Sequence, residues 1–552
     1  MLTRAIIILS LACLTTVLAN AAPVSCVLAE PTGCSPTATR QVLAHARTMG
    51  MATVRIRADW SRIQPRKGQW NFAWLDTLVA DARQAGLHVI LVLGPAPAWA
   101  VSYLDDPSPE ELARAHPDQT ALVTYATKVA QHYGRKVDAY QVWEKSSAAA
   151  LLALPEDVAA LFQSATAAIH RVDPTLRVLI PEPGDVDLCW ITNYLASARG
   201  TAKPDILLLS PTRSTLRPEV FWWRVPALRT HVLSKYPALA VWAAIPLSAA
   251  QSSTGVTAAT AALLDRLPTV IFTPDTQTDL DDPKLTTGMR TFATLQGANY
   301  AGWALLGQDV PAGIFQTPKA TTVLALPLDD IRIPLVQSKL PALTGLAVPD
   351  AHATITPVGA KGSTITAKQE WQTGNVPTLL TGVAVKPMPG TPDVLLATAC
   401  GQEVSLDLAG DDTAGIHLLP DLPGGAFIRE TEHDRSFVRT VRGKSPWIHV
   451  DVPDGFLFFN TQRMPLEVTI DVFGVTQAQR TGFNLYYDAQ QDMRYTPWQW
   501  IDVGPDKVYS YTFKLTDALF ANRAGYDFRI NMGGSVEEIR VVDIRVKKLI
   551  VP

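Results

Sequence analysis

Cysteine is scarce in this chain. There are five Cys, no C-x-x-C pair, and ten His without zinc-type spacing, so neither a metal site nor a redox dithiol is indicated. Neither sign of charge dominates: 48 Lys and Arg stand against 51 Asp and Glu, a net charge of −3 spread without long runs. That excludes a nucleic-acid binder and a polybasic membrane binder. Past the first residues no apolar run reaches the ~18 residues that would span a bilayer. No G-x-G-x-x-G follows a strand and no P-loop occurs, so no cofactor is expected. Charged residues make up 18% of the chain, below the usual ~25%. The surface therefore leans on Ser, Thr, Gln and Asn.

What is present begins with a leader. Residues 1–21 read as a signal peptide: Arg4, an apolar stretch from Ala5 to Leu18, and an A-x-A site at Ala19-Asn20-Ala21. The expectation is an exported protein, periplasmic or secreted, in which disulfides are allowed. Cys26 and Cys34 flank a Pro-Thr-Gly turn and suggest a small staple, while Cys189 and Cys400 look like separate buried thiols. At 552 residues, 47% of them apolar, the chain is too long for one core and too apolar to be mainly disordered.

From residue 22 to 326, apolar strands alternate with amphipathic helical stretches. The strands are expected near Val24–Ala29 and at Thr53–Trp60, His88–Pro95, Asp138–Trp143, Arg177–Pro181, Asp205–Ser210, Ala238–Ile245 and Asn299–Leu306. Continuous apolar runs suit strands covered on both faces, and this repetition suits a (β/α)8 TIM barrel. Thr269–Pro274 is a further strand-like piece without a place in that count. Residues 327–350, dotted with Pro, read as a linker, and 351–428 as a small β-rich module. Residues 429–552 alternate with period two, as in Leu466–Phe473 and Lys507–Leu515, which predicts a jelly-roll-like β-sandwich.

Residues 54–76, VRIRADWSRIQPRKGQWNFAWLD, resemble the opening of clan A glycoside hydrolases, family 39 above all. Arg55, Trp60, Gln64-Pro65, Gly68, Trp70, Phe72 and Leu75-Asp76 match its pattern in order, and Gly86–Ala100 resembles its third strand with a terminal Pro-x-Trp-Ala. The resemblance covers about 300 residues and implies a sugar-binding cleft at the strand C-termini. It also implies substrate contacts by Arg55, Trp60, Trp99, Trp143 and Trp303. Pyranose faces stack on aromatic rings without needing charge. Trp60 and Trp143 read equally well as core packing. In the C-terminal part, WIHVDVPDGF and FANRAGYDFRI resemble jelly-roll modules of carbohydrate-active proteins. There Tyr486, Tyr487, Tyr495, Trp498 and Trp500 form either a stacking platform or core.

The catalytic positions depart from the family. Its acid/base lies in Trp-Asn-Glu-Pro after strand four, where this chain has Trp143-Glu144-Lys145-Ser146, so Lys145 takes the acid's place. Its nucleophile follows strand seven, where Ile245 stands. An aliphatic side chain cannot attack an anomeric carbon, and a Lys is a poor acid near neutral pH. Glu144 and Glu182 are the remaining candidate carboxylates, read either as a relocated catalytic pair or as an ion-paired residue and a loop cap. The sequence thus predicts an exported, glycoside-hydrolase-like polysaccharide binder without standard retaining hydrolysis, in exopolysaccharide handling. An active O-glycosyl hydrolase with relocated carboxylates is the alternative. A non-catalytic scaffold for a protein partner in an export or assembly system is the third reading.

Overall fold

The computed structural model describes residues 23–549 apart from 32–34, 102–110, 112–114, 145–154, 183–185, 212–217, 249–251, 275, 308–309, 318–319, 328–331, 338–345, 351, 367–368, 375, 389–400, 407, 409–414, 421, 423, 433–434, 442 and 444. The leader, Cys34, Lys145 and Cys400 therefore lie outside the described residues. The chain divides into two compact units. One comprises residues 1–182, 198–222 and 237–392, and the other 183–197, 223–236 and 393–552.

The first unit holds a closed barrel of eight parallel strands. These are β1 (Ser25–Ala29), β2 (Thr53–Ala58), β3 (His88–Leu93), β4 (Ala139–Val142), β5 (Val178–Pro181), β6 (Ile206–Leu209), β7 (Ala240–Leu247) and β8 (Thr269–Pro274). The side chains that fill its interior include Val27, Ile90, Ala139, Leu179, Leu208, Trp242, Ala244 and Ile271. Because strand side chains alternate, the other residues of each strand turn toward the helix layer. The helices carry local signals to match. Pro36–Met49 starts with Ser35 accepting from the Ala38 N–H and a Pro in the first turn, and it ends at Gly50, whose φ of 81° favours a residue without Cβ.

Closure corrects one expectation. The eighth strand is Thr269–Pro274, which pairs in parallel with β1 from Ser25↔Thr269 to Leu28↔Phe272. Asn299–Leu306, expected in that place, lies outside the barrel. It pairs antiparallel with Val310–Gln316, which pairs with Thr321–Ala325. These belong to a six-stranded sheet that also contains Thr378–Thr381, His352–Pro357 and Ser363–Thr366. Residues 327–350, expected as a linker, carry strands at Arg332–Gln337 and Leu346–Val348.

At the start of β6, His170 is clamped. Its Nδ1–H donates to the Thr201 carbonyl at 2.8 Å and Nε2 lies 3.1 Å from Asp205 Oδ2, which also accepts from the Val178 N–H. Burial alone would push the imidazole pKa down, but the Asp205 carboxylate and the Thr201 carbonyl outweigh it and the value is raised. A raised histidine contributes its stabilisation fully below the unfolded pKa of ~6.5 and loses it as pH rises through the folded value. The urea midpoint of the protein is therefore expected to fall between pH 6 and pH 8. Asp205→Asn should flatten that fall, and an equal slope in both proteins would contradict the clamp.

The second unit is a β-sandwich. One sheet orders Phe427–Glu432, Arg435–Thr440, Arg540–Lys548, Leu466–Phe473 and Val508–Leu515; the other orders His417–Leu418, Trp447–Asp451, Phe528–Asn531, Gly482–Asp488 and Met493–Tyr495. Val468, Ile470 and Val472 from the first meet Ile448, Val450, Leu485, Phe528 and Ile530 from the second in one apolar core. Residues 183–197 and 223–236 belong to this unit. Within it, Cys189 is a free thiol that accepts from Arg523 Nη2 at 3.5 Å.

Candidate functional site

In (β/α)8 barrels chemistry and binding sit at the C-terminal ends of the strands. Here that end is polar and is built from β1, β2, β4 and β8. The Arg55 guanidinium lies inside the barrel, Nη1 donating to Gln141 Oε1 at 3.3 Å and Nη2 to Thr273 Oγ1 at 3.5 Å. Two residues further along β2, on the same face, Arg57 Nη2 donates to Glu144 Oε2 at 3.0 Å. Glu30 follows β1 directly. Its Oε2 accepts from the Arg57 backbone N–H at 2.9 Å and its Oε1 from the Thr39 hydroxyl at 3.1 Å.

These groups share one electrostatic field. Burial pulls the Arg55 pKa down, partly offset by the charges of Glu144 and Glu30. Burial pushes the Glu30 carboxyl up, against the Arg57 N–H and the Arg57 charge, which favour the ionised form. Arg57 thus lies between two carboxylates and holds both.

The end of β4 is fixed tightly. Gln141 Nε2 donates to the Trp143 carbonyl at 2.8 Å. Trp143 has a φ of 66°, a left-handed backbone that is costly for a bulky residue. Its ring packs on Gly94, where an added Cβ would lie 3.1 Å from the indole. Trp143 is thus almost wholly buried, and the strained turn delivers Glu144, the next residue, to Arg57.

The expected sugar-stacking residues separate under this geometry. Trp60 is fully buried. Asp59 caps the short helix Trp60–Ile63 and turns the indole inward, onto Tyr125 at 4.4 Å and 11° between ring planes. Trp60 is thus core and not a cleft residue. Trp303 is also corrected: it lies in the antiparallel strand Asn299–Leu306, is buried, and its carbonyl accepts from the Met388 N–H. Of the four tryptophans expected in the barrel cleft, Trp99 alone is half-buried, with Nε1 donating to the Gln64 carbonyl at 3.1 Å.

Of the two candidate carboxylates, Glu144 is ion-paired with Arg57, with a quarter of its side chain exposed. Glu182 is buried, and its Oε1 accepts from the Ser210 N–H at 2.8 Å, tying the end of β5 to the end of β6. The position expected to match the family's nucleophile also shifts. Trp242 and Ala244 face the barrel interior, so alternation sends Ile245 to the helix layer and brings Pro246 next onto the inner face. The inner face of β7 offers neither a carboxylate nor a hydroxyl. Cys26 is a free, buried thiol rather than half of a staple. Its Sγ donates to the Phe292 carbonyl, and burial pushes its pKa up to about 12.

Sequence reasoning missed Glu30, Arg57, Gln141 and Thr273. Each carried a signal: a polar residue on the inward parity of an apolar strand, or, for Glu30, directly after one.

Residues 31–142, from the loop after β1 to the end of β4, match the model of glycoside hydrolase family 42, described as beta-galactosidase. Among solved structures, a family 39 glycoside hydrolase from Bacteroides cellulosilyticus aligns with a TM-score of 0.50 and 14% identity, over 65% of this chain and 81% of that one. A family 30 endoxylanase from Clostridium papyrosolvens aligns at 0.48 and 13%, over 66% and 98%. A family 39 beta-xylosidase from Caulobacter crescentus aligns at 0.44 and 11%, over the same shares. No curated protein sequence matches the chain. The fold of the first unit is thus similar to that of clan A glycoside hydrolases.

Proposed function

We propose that this chain is an exported, glycoside-hydrolase-like protein that binds polysaccharide at the C-terminal mouth of its barrel without retaining hydrolysis, in exopolysaccharide handling. The observation that carries this reading is the inner face of β7, which presents Ala244 and Pro246 where the family's nucleophile would stand. A retaining glycosidase needs two carboxyl groups ~5–5.5 Å apart, one of them free to form the glycosyl bond. Glu144 is held by Arg57 and Glu182 by the Ser210 N–H. Each carboxylate is engaged by a positioning partner, and the inner face of β7 offers no second carboxyl group to pair with either.

Sugar recognition needs less. Trp99 offers apolar ring area, and Arg55, Gln141 and Thr273 form a fixed polar floor for hydroxyl groups. One observation favours a second reading, hydrolysis by relocated carboxylates. Glu30 and Glu144 both meet Arg57, and burial raises Glu30 toward the protonated form that a general acid needs.

A panel of bacterial and plant polysaccharides separates the readings. The proposal expects at least one to be bound, with Trp99→Ala weakening that binding about tenfold, the equivalent of ~1.4 kcal/mol. Reducing ends should not be released. Release that disappears in Glu144→Gln or Glu30→Gln would establish the second reading, and a panel without any binding would leave the barrel as a scaffold.

A further inference from the structure

One sheet face of the sandwich sets a cation among aromatic rings. On the outward side of the strands Trp447–Asp451, Phe528–Asn531, Gly482–Asp488 and Met493–Tyr495, the register places His449, Arg529, Tyr486 and Tyr495 in one row across four strands. Arg529 stands at the middle of it. Its guanidinium carbon lies 3.9 Å from the Trp447 ring centroid, 4.6 Å from that of Tyr486 and 6.0 Å from that of Tyr526. The cation is walled by aromatic rings and makes neither a hydrogen bond nor an ion pair with the described residues, and its Nε is buried without a partner.

Three other arginines of the same sandwich are committed to carboxylates. Arg439 holds Glu430 and Glu538, Arg494 holds Asp517, and Arg545 holds Asp471 and Asp543. Asp492, close enough to Tyr486 to influence it, is taken by Arg523. His449 cannot serve as the counter-charge, because burial and the Arg529 charge lower its pKa to about 4 and keep it neutral. Its Nδ1 also lacks a partner. Beside the cation, Tyr495 is 57% exposed and lies against Tyr486 at 4.3 Å between centroids, which leaves an aromatic surface open to solvent.

A flat guanidinium with an uncommitted fork matches a carboxylate, and an adjacent open ring matches the face of a pyranose. We infer that this sheet face binds a uronate residue of an acidic polysaccharide, Arg529 taking the carboxylate and Tyr495 stacking on the sugar ring. The site lies in the second unit, and it holds whether or not the barrel binds sugar.

The full chain is tested by affinity electrophoresis against polygalacturonate and alginate, each beside its carboxyl-reduced form. At least one native polymer is expected to retard the protein with an apparent affinity tenfold or more above that of its reduced counterpart. Arg529→Gln should abolish that preference, and Tyr495→Ala should weaken binding to native and reduced polymer alike. Arg529→Lys, which keeps the charge and loses the fork, should fall between, so the inference remains testable if Arg529→Gln does not fold. Tyr495 is exposed, so its variant should keep the wild-type melting temperature. Equal retardation by native and reduced polymers, retardation by neither acidic polymer, or an unchanged preference in Arg529→Gln would each overturn the inference.

Discussion

Arg224→Met is expected to cost the second unit about 3–5 kcal/mol, the usual result of removing one partner from a buried ion pair. Arg224 is fully buried, with Nε donating to Asp454 Oδ2 at 2.6 Å and Nη2 lying 3.6 Å from Asp451 Oδ1. The Asn522 amide, oriented to satisfy both neighbours, accepts from Arg224 Nη2 at 2.8 Å and donates to Asp451 Oδ1 at 3.1 Å. Asp527 is part of the same field: burial and the charges of Asp451 and Asp454 raise its pKa well above the ordinary carboxylate value, while Arg224 pulls it down.

Without the guanidinium, Asp451, Asp454 and Asp527 would lose the buried cation that ties them together. Protonation of Asp527, whose pKa is already raised by burial and by the charges of its neighbours, would relieve part of this, so the loss should shrink as pH falls toward 4. Urea unfolding followed by tryptophan fluorescence, at pH 7 and pH 4, measures both effects. A loss under ~1 kcal/mol, the size of an exposed pair, would show that the network is dispensable.

Trp60→Ala is expected to lower stability by about 3–5 kcal/mol, as for other fully buried large aromatics. The ring is stacked on Tyr125, meets Trp99 edge-on at 5.8 Å, and donates from Nε1 to Gln64 Oε1 at 2.9 Å. Trp60→Phe keeps most of the packing but leaves the buried Gln64 oxygen without that donor, a loss of about 1–3 kcal/mol. The same urea titration distinguishes core from cleft. A Trp60→Ala protein of wild-type stability that had lost only sugar binding would contradict the burial described above.

The contrast between Trp60 and Trp99 shows what could be read from the sequence. Both follow barrel strands and both match the family pattern, so the motif alone gives them one role. The difference comes from Asp59, whose cap on Trp60–Ile63 turns Trp60 inward. Seven of the eight barrel strands were legible as continuous apolar runs, since a strand covered on both faces needs apolar residues on both parities.

The sequence does not distinguish the eighth strand from Asn299–Leu306, because an apolar run does not declare its partner. Both segments follow a helix, Ser252–Leu264 in one case and Pro283–Ala293 in the other. The connection that comes after them decides. Asn299–Leu306 runs through Gly307 almost at once into Val310–Gln316, and so short a link joins only antiparallel strands.

The face of a residue is a separate question from its motif. Ile245 aligns with the family's nucleophile, yet period-two alternation from Trp242 and Ala244 turns it away from the barrel interior. The proposed lack of chemistry at β7 therefore rests on Ala244 and Pro246 as much as on Ile245. Conversely, Glu30 and Thr273 could not be placed from a motif, since their meaning depends on which strands close the barrel. Arg57 became legible only once Glu30 and Glu144 were seen to meet at it.

The most direct test of the central claim is reducing-end release from a polysaccharide that the protein demonstrably binds, followed over days at pH 5 to 8. The expected result is release no greater than the buffer blank from the wild-type protein, with binding intact in both wild type and Glu144→Gln. Release above the blank that is lost in Glu144→Gln while binding persists would contradict it, and would make the barrel an active glycosidase.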